Sequence, residues 1–478
     1  MLALFHEQPR AFKMIFMLEI WERFGYYTMQ GILTLFFIRQ LGFTDSEAYF
    51  TFGAFSALVY GMVFLGGYLG DKVLGIKRTI VLGLCTLALG YLSLAFVNKD
   101  WVFLALGLIC VGNGLFKANP SNLLAKCYKK NDPRLHSGFT LYYMAINLGS
   151  IFALFIGPTL ANRFGYSYAY FLSFIGLVLG LCNYGFQRRC VADIHTYADS
   201  RKVPGSLWFI VFLGILLLTF IASFLLQHVI LAKNIVLLIT VLVVGVYLAL
   251  MRKEPKEAYL RMLVALVLMA EAVVFFTLYQ QMPTSLNLFA VHNVVPVLWG
   301  LPIDPQSFQA LNAIWIIVMS PILACFYKKL YYRGSFLAVP YKFAAGMLCC
   351  GLSFSLLFFA RYLHDGNGMV SSWWLIASYF FQSTGELLVS ALGVAMIAEL
   401  VPGHINGFVM GMWFLTSSLA GFIGAYVASM TALPKNIEPG IESLMIYTQA
   451  FAYIGGVTFV LGILMWCLSG RLSRFSKR

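Results

Sequence analysis

Charged residues are scarce in this sequence. Only 11% of its 478 residues are Asp, Glu, Lys or Arg, whereas 60% are hydrophobic. A typical soluble domain carries about 25% charged residues, so a soluble chain of this length could not cover so much apolar surface. Together with a mean hydropathy of +0.82, this composition excludes a soluble globular protein and predicts one whose main solvent is the lipid bilayer.

Cysteine and histidine are also few, and neither shows the pattern of a metal site. The nine Cys fall mostly inside or beside apolar runs, without metal-ligand or disulfide-framework spacing. Apart from His6, the His residues lie in loops or at the ends of apolar runs. We therefore expect no metal ion and no cofactor. The N-terminus lacks a cleavage-site pattern, so its first apolar stretch is expected to be retained.

Long apolar runs recur along the whole chain. A membrane-spanning helix needs about 20 mostly apolar residues. Fourteen stretches meet that length, namely 14–38, 48–70, 78–97, 101–124, 138–161, 166–187, 205–227, 231–251, 260–281, 307–328, 340–361, 371–400, 406–431 and 446–468.

The seventh and eighth stretches differ from the others. They are rich in Leu, Ile and Val and follow a polar segment, so we interpret them as an inserted pair. The sequence therefore predicts an all-α polytopic membrane protein with fourteen helices arranged 6+2+6. Its parts are a six-helix bundle (1–190), a linker with two inserted helices (191–257) and a second six-helix bundle (258–478).

The basic residues indicate an orientation. If the N-terminus is cytoplasmic, 25 of the 33 Lys and Arg residues fall in cytoplasmic loops and six in outer loops. Short cytoplasmic loops are enriched in Lys and Arg, so both termini are expected in the cytoplasm. This enrichment of basic residues in cytoplasmic loops accounts for the net charge of +14. No nucleic-acid partner is therefore expected.

A cluster of ionisable residues interrupts the first apolar run. Glu19, Glu22 and Arg23 are followed at helical spacing by Tyr26 and Tyr27, which places all five on one helix face. Two carboxylates beside one Arg leave a net negative charge, so one carboxyl could hold a proton near neutral pH. The alternative is a buried ion network that only holds helices together.

Later runs contain further charges. Lys117 is the only Lys in a membrane interior. A buried ammonium requires a carboxylate partner, and the candidates are the two carboxylates of the first run and Glu386. Glu271, without an evident partner, and Glu399, nearer the membrane surface, rank lower as functional residues.

The loop after the second run has a distinctive glycine pattern, Gly67-Tyr-Leu-Gly70-Asp71-Lys72-Val-Leu-Gly75-Ile-Lys77-Arg78. Glycines permit a tight turn and close helix approach, and Asp71 is expected to pair with nearby basic side chains. The pattern resembles the loop motif of the major facilitator superfamily and implies that fold, but it does not indicate a cargo.

Together the motifs resemble those of the proton-dependent oligopeptide transporters, the peptide branch of that superfamily, over nearly the whole chain and including the inserted pair typical of bacterial members. The motifs that carry the resemblance are Glu19-x-x-Glu22-Arg23-Phe24-x-Tyr26-Tyr27, Tyr60, Phe116-Lys117-Ala-Asn119-Pro120, Tyr142-Tyr143-Met-Ala-Ile-Asn147-Leu-Gly149-Ser150, Gln281-Met-Pro-Thr-Ser285-Leu-Asn287, Phe308-Gln309-Ala-Leu-Asn312 and Gly385-Glu386-Leu.

The resemblance implies roles for individual residues. Proton coupling is expected of Glu19, Glu22, Arg23 and Lys117. Substrate binding is expected of Tyr26, Tyr27, Tyr60, Lys117, Asn147, Gln280, Asn312, Glu386 and Ser390. Gating is expected of Gln30, Gln280, Lys117 and Glu386. A zwitterionic peptide needs a site with both signs of charge, and Lys117 and Glu386 would supply them.

Two positions depart from the family pattern. Many members carry an Arg three residues after the Tyr-Tyr pair and a Glu in the first span after the insert; this chain has Gln30 and Gln280 there. A matched loss avoids leaving one buried charge without its partner. We expect an outer gate closed by amide hydrogen bonds and packing.

The expected function is proton-driven import of di- and tripeptides by alternating access, in a monomer in the bacterial inner membrane. A carrier of amino acids or other small solutes, or an exporter, would have the same fold. A transport-dead receptor would not need the paired proton-carrying residues. A membrane-embedded enzyme is least favoured, because His364, Asp365 and Asp304 lie in outer loops without catalytic partners.

Overall fold

The structure is a computed structural model that describes residues 5–99, 101–129, 132, 134–194, 196–332 and 337–476. By internal contacts the chain divides into unit 1, residues 1–36 with 54–232, and unit 2, residues 37–53 with 233–478. The three-part division given by the sequence stays a prediction.

The first ten helices lie wholly or partly in unit 1, and α1 and α2 each extend into the 37–53 segment of unit 2. They are α1 (Arg10–Leu41), α2 (Asp45–Gly61), α3 (Val63–Tyr68), α4 (Ile76–Ala95), α5 (Val102–Lys117), α6 (Asn119–Lys126), α7 (Arg134–Phe164), α8 (Tyr166–Gln187), α9 (Tyr197–Ser200) and α10 (Gly205–Gln227). A π-helical turn, Leu69–Val73, follows α3.

The remaining helices lie in unit 2, apart from the first turn of α11. They are α11 (Val229–Met251), α12 (Lys256–Tyr279), α13 (Ser285–Asn293), α14 (Ala310–Tyr332), α15 (Val339–Phe359), α16 (Trp373–Leu400), α17 (Asn406–Ser429) and α18 (Ile441–Ser476). A short antiparallel hairpin, β1 (Val297–Leu298) with β2 (Leu301–Pro302), joins α13 to α14.

Within the described residues, 13 helices are long and apolar enough to cross a membrane. They match the second to fourteenth predicted stretches. The first stretch forms α1, which is 32 residues long but carries three charges in one turn, and these lower its hydropathy. The predicted count of fourteen spanning helices therefore stays a prediction.

Each unit contains a helix that is interrupted at a proline. In unit 1, α5 ends at Lys117 and α6 resumes at Asn119, with Pro120 in its first turn. The Asn119 amide donates to the carbonyls of Leu115, at 2.7 Å, and Gly66, at 3.1 Å. The Asn119 side chain therefore joins the interruption to α5 and to α3.

In unit 2 the interruption lies between α12 and α13, around Pro283. Gln281 Nε2 donates to the carbonyls of Thr277, at 2.9 Å, and Gly424, at 3.1 Å. Ser285 Oγ donates to Gln281 Oε1 at 2.7 Å. The Gln-Met-Pro-Thr-Ser motif thus builds a helix break whose polar groups are satisfied inside protein, as a membrane requires.

The glycine-rich loop of unit 1 is held by the linker that follows α8. Gly75 adopts φ +93°, and a Cβ there would overlap Asp199. Asp199 caps α9 together with Thr196 and accepts from the Lys77 backbone N–H at 3.3 Å. Lys77 Nζ donates to the Val191 carbonyl at 3.1 Å. The acceptors for this loop are therefore Asp199 and backbone carbonyls rather than Asp71.

The segment 37–53 packs within unit 2. Asp45 Oδ2 accepts from the Leu433 backbone N–H at 3.0 Å, and the Tyr49 hydroxyl lies 3.4 Å from Thr431 Oγ1. Gly53 approaches the Gly421 backbone so closely that a Cβ would not fit. Three contacts spaced along the segment fix it to α17 and the turn that follows.

Candidate functional site

The charged cluster on α1 forms a compact ion network. Arg23 Nε lies 3.0 Å from Glu19 Oε1 and 2.5 Å from Glu22 Oε2. All three side chains are at most 6% exposed. The i, i+4 spacing explains the contact between Glu19 and Arg23, and Glu22, the residue before Arg23, reaches the same guanidinium nitrogen.

The two carboxylates differ in what else they contact. The Tyr142 hydroxyl, from α7, donates to Glu19 Oε2 at 2.7 Å. Glu22 Oε1, in contrast, has no hydrogen-bond partner among the described residues. Glu19 therefore contacts both the Arg23 guanidinium and the Tyr142 hydroxyl, whereas Glu22 contacts Arg23. Of the two, Glu22 is the carboxylate whose protonation disrupts fewer contacts.

Lys117 lies at the end of α5, where the helix is interrupted. Its Nζ is 3.7 Å from the centroid of the Tyr60 ring, and no described carboxylate of unit 1 lies within ion-pair distance. It still interacts electrostatically with Glu19, Glu22 and Arg23. The expectation that a unit 1 carboxylate pairs directly with Lys117 is wrong: a ring face stabilises the ammonium there.

Two of the tyrosines predicted to bind substrate lie on α1, and one of the predicted amides lies on α7. The rings of Tyr26 and Tyr27 meet edge to face at 5.5 Å, and the Arg23 guanidinium is 5.6 Å from the Tyr26 ring. Asn147 Nδ2 donates to the Tyr143 carbonyl of its own helix at 2.9 Å. Gln30 lies one turn beyond Tyr26 and Tyr27 and is half-buried.

Of the predicted residues of unit 2, Asn312 contacts the buried carboxylate of Glu386 directly. Asn312 Nδ2, at the start of α14, donates to Glu386 Oε2 at 2.8 Å and to Ser383 Oγ at 3.1 Å. Glu386 is only 8% exposed. Ser390 follows one turn later on α16 and is half-buried. Gln280 is buried at the end of α12, where its side chain packs against Gly424.

A model of the POT family matches residues 77–446, more than half of the chain. The chain belongs to the POT family. Dipeptide and tripeptide permease B of Photorhabdus luminescens is 46% identical over 462 residues, which cover 96% of this chain and 95% of the permease. The permease of the same name from Aliivibrio fischeri is 47% identical over 470 residues, which cover 98% and 95%.

Two solved structures support the same membership. Tetrameric PepTSo2 matches this POT family member with a TM-score of 0.87 and 34% identity, over 98% of this chain and 99% of that one. A peptide transporter POT in complex with sulfate gives a TM-score of 0.85 and 27% identity, over 98% and 96%. The predicted fold class, an all-α membrane protein with the major facilitator fold, is confirmed.

The sequence-based site of this POT family member omitted several contact residues. Tyr142 stands inside a motif that carries the resemblance and Ser383 lies two residues before one, yet only the structure shows which carboxylate or amide each one contacts. Asn113 lies one turn before Lys117 and is fully buried, with no hydrogen-bond partner for its amide among the described residues. A polar residue at i−4 from Lys117 in an apolar helix was the available signal.

Proposed function

We propose that this POT family member is a proton-coupled symporter that imports di- and tripeptides by alternating access. The relatives named dipeptide and tripeptide permease B match it over nearly their full length. The observation that carries the proposal is the buried network of Glu19, Glu22 and Arg23, which lies in electrostatic reach of Lys117. Buried ionisable groups in a membrane mark substrate and proton pathways.

In the proposed coupling step, Glu22 receives the proton. Neutral Glu22 no longer attracts Arg23, so the guanidinium is left to Glu19 and the local charge becomes more positive by one. A positive field at Lys117 favours binding of a carboxylate. A proton that moves inward gains about 2.3 kcal/mol per 100 mV of membrane potential, which supplies the driving force for accumulation.

In the proposed binding step, Lys117 holds the peptide carboxylate and Glu386 the peptide amino terminus. Asn312 orients Glu386 through the hydrogen bond at 2.8 Å. We propose that Tyr26, Tyr27, Tyr60, Asn147, Gln280 and Ser390 line the space for the peptide backbone and side chains. Such a site recognises termini and leaves room for varied side chains.

The remaining assignments concern the gates and the cellular setting. We propose that Gln30 and Gln280 contribute to the outer gate, and Lys117 and Glu386 to the cytoplasmic one. The protein works as a monomer in the bacterial inner membrane, with both termini in the cytoplasm. The proton is the only coupling ion, and the chain is a carrier rather than an enzyme.

The test is uptake of a labelled dipeptide into proteoliposomes with and without an inward proton gradient. The proposal predicts accumulation only with the gradient, and competition by unlabelled di- and tripeptides but not by the free amino acids. Lys117→Ala should abolish uptake, whereas Lys99→Ala, an exposed loop residue, should not. Competition by free amino acids with none by peptides would contradict the peptide assignment and favour the amino-acid carrier.

A further inference from the structure

An apolar groove of about 270 Å³ lies in unit 1 between inserted helix α10 and the region where α3 faces α5. The groove is lined by side chains such as Met62, Leu65, Val111, Leu115, Val211 and Ile215. Its floor is buried, whereas Leu65 and Ile210 on its rim are exposed. The coupling mechanism uses none of these side chains.

The spacing between α10 and α5 changes along their length. A Cβ at Gly107 of α5 would lie 2.6 Å from the Thr219 carbonyl of α10. Nearer the start of α10, a Cβ added at Gly214 would have no neighbour within 4 Å. The two helices therefore diverge toward the N-terminus of α10, and the groove occupies the space between them.

Exposed basic residues lie on segments next to one end of the groove. Lys72 is exposed on the π-helical turn whose Leu69 and Val73 line the groove. Arg201 and Lys202 are exposed just before α10. The short helix α9, which directly precedes Arg201, packs against that same turn. Three positive charges, with Asp71 as the one carboxylate of that turn, therefore lie on segments at the end that the basic loops predict to be cytoplasmic.

We propose that this groove binds one anionic phospholipid of the bilayer. An acyl chain lies along α10 against the apolar floor, and the phosphate lies near Lys72, Arg201 and Lys202. Basic pockets between transmembrane helices at the cytoplasmic surface bind acidic headgroups, and charge complementarity favours an anionic lipid over a zwitterionic one. The inserted helix α10 would then complete a lipid site that the preceding helices could not form alone.

The test compares retention of phosphatidylglycerol and phosphatidylcholine with matched acyl chains on the full-length protein, by native mass spectrometry after detergent extraction. Gly214→Phe places a large side chain in the groove, at a lining position where an added Cβ meets nothing within 4 Å. The matched control is Gly245→Phe on α11, where an added Cβ also meets nothing within 4 Å. The combined Lys72→Ala, Arg201→Ala and Lys202→Ala variant removes the charge.

The proposal predicts one phosphatidylglycerol on the wild type and on Gly245→Phe, and its loss from Gly214→Phe. The triple variant should bind it on the order of 100-fold more weakly, and glycerol phosphate should not displace it. Equal retention of phosphatidylcholine would overturn the proposal. Retention of the lipid by Gly214→Phe would also overturn it. A change of oligomeric state in Gly214→Phe, without loss of lipid, would show that a second copy of the chain occupies the groove instead.

Discussion

At the scale of single residues, the two carboxylates of α1 are not equivalent. Glu19 is bound by Arg23 and by the Tyr142 hydroxyl, whereas Glu22 is paired only with Arg23 among the described residues. We infer that Tyr142 and Glu19 keep Arg23 in place while Glu22 gains and loses the proton. Tyr142 is thus a positioning residue for the coupling step.

Replacing Tyr142 by Phe tests that role. The ring and its packing remain, but Glu19 loses a hydrogen bond to a charged group, worth about 1.5–3 kcal/mol. We expect gradient-driven dipeptide uptake to fall by about tenfold, with counterflow exchange retained. Tyr168→Phe, at an exposed ring, is the control. Loss of counterflow as well would indicate a damaged fold instead of a coupling defect.

The contact between Lys117 and Tyr60 gives a second prediction. A desolvated cation over an aromatic face is stabilised by about 2 kcal/mol, so Tyr60→Leu should lower uptake by more than about tenfold. Tyr60→Phe keeps the ring face and should stay near wild type. The measurement is dipeptide uptake by the two variants in proteoliposomes. If Phe is as harmful as Leu, the hydroxyl and not the ring is what Lys117 requires.

At the scale of elements, each unit contains one interrupted helix whose break is stabilised by an amide side chain. Asn119 does this in unit 1 and Gln281 in unit 2. In carriers, interrupted helices occur near substrate and ion sites. Lys117 immediately precedes one break and Gln280 the other, so these breaks position two of the residues proposed for transport.

Gln281→Leu tests the second break. The side chain keeps a similar volume, but the carbonyls of Thr277 and Gly424 and the Ser285 hydroxyl each lose their hydrogen bond to Gln281. An unsatisfied buried polar group costs about 1–3 kcal/mol, so the variant should unfold at lower denaturant concentration and lower temperature in detergent. Gln227→Leu, at the exposed end of α10, should leave stability unchanged. Equal stability of both variants would mean that the break is supported by other contacts.

The sequence predicted the elements better than their contacts. Hydropathy and helical spacing are local properties, so the apolar spans and the Glu19, Glu22 and Arg23 face follow from them directly. The Tyr142–Glu19 bond joins residues 123 positions apart, and a ring could have contacted Lys117 from any helix. Such choices depend on tertiary packing, which no local pattern specifies. For the same reason the sequence offered Glu19 and Glu22 as candidate partners of Lys117, whereas the structure places the Tyr60 ring there.

At the scale of the whole molecule, the neutral pair Gln30 and Gln280 belongs to two different units. If the two positions act together in the outer gate, Gln30→Arg introduces a buried charge without a partner and should reduce uptake at least tenfold, because such a charge costs several kcal/mol. Adding Gln280→Glu should restore much of the loss. Equal defects in the single and double variants would contradict the pairing.

In a carrier that works by alternating access, proton coupling and peptide movement can be measured separately. A variant that cannot exchange protons should still carry peptide in both directions when no gradient is needed. The buried network on α1 offers a direct way to make that separation, because Glu22→Gln removes one negative charge with little change in shape. Glu442→Gln, at an exposed position at the start of α18, is its matched control.

The most direct measurement is therefore a paired assay on Glu22→Gln proteoliposomes: gradient-driven dipeptide accumulation and gradient-free counterflow. The account predicts that accumulation is lost while counterflow stays close to wild type, with both activities intact in Glu442→Gln. Accumulation at the wild-type level in Glu22→Gln would contradict the claim that this carboxyl carries the coupling proton.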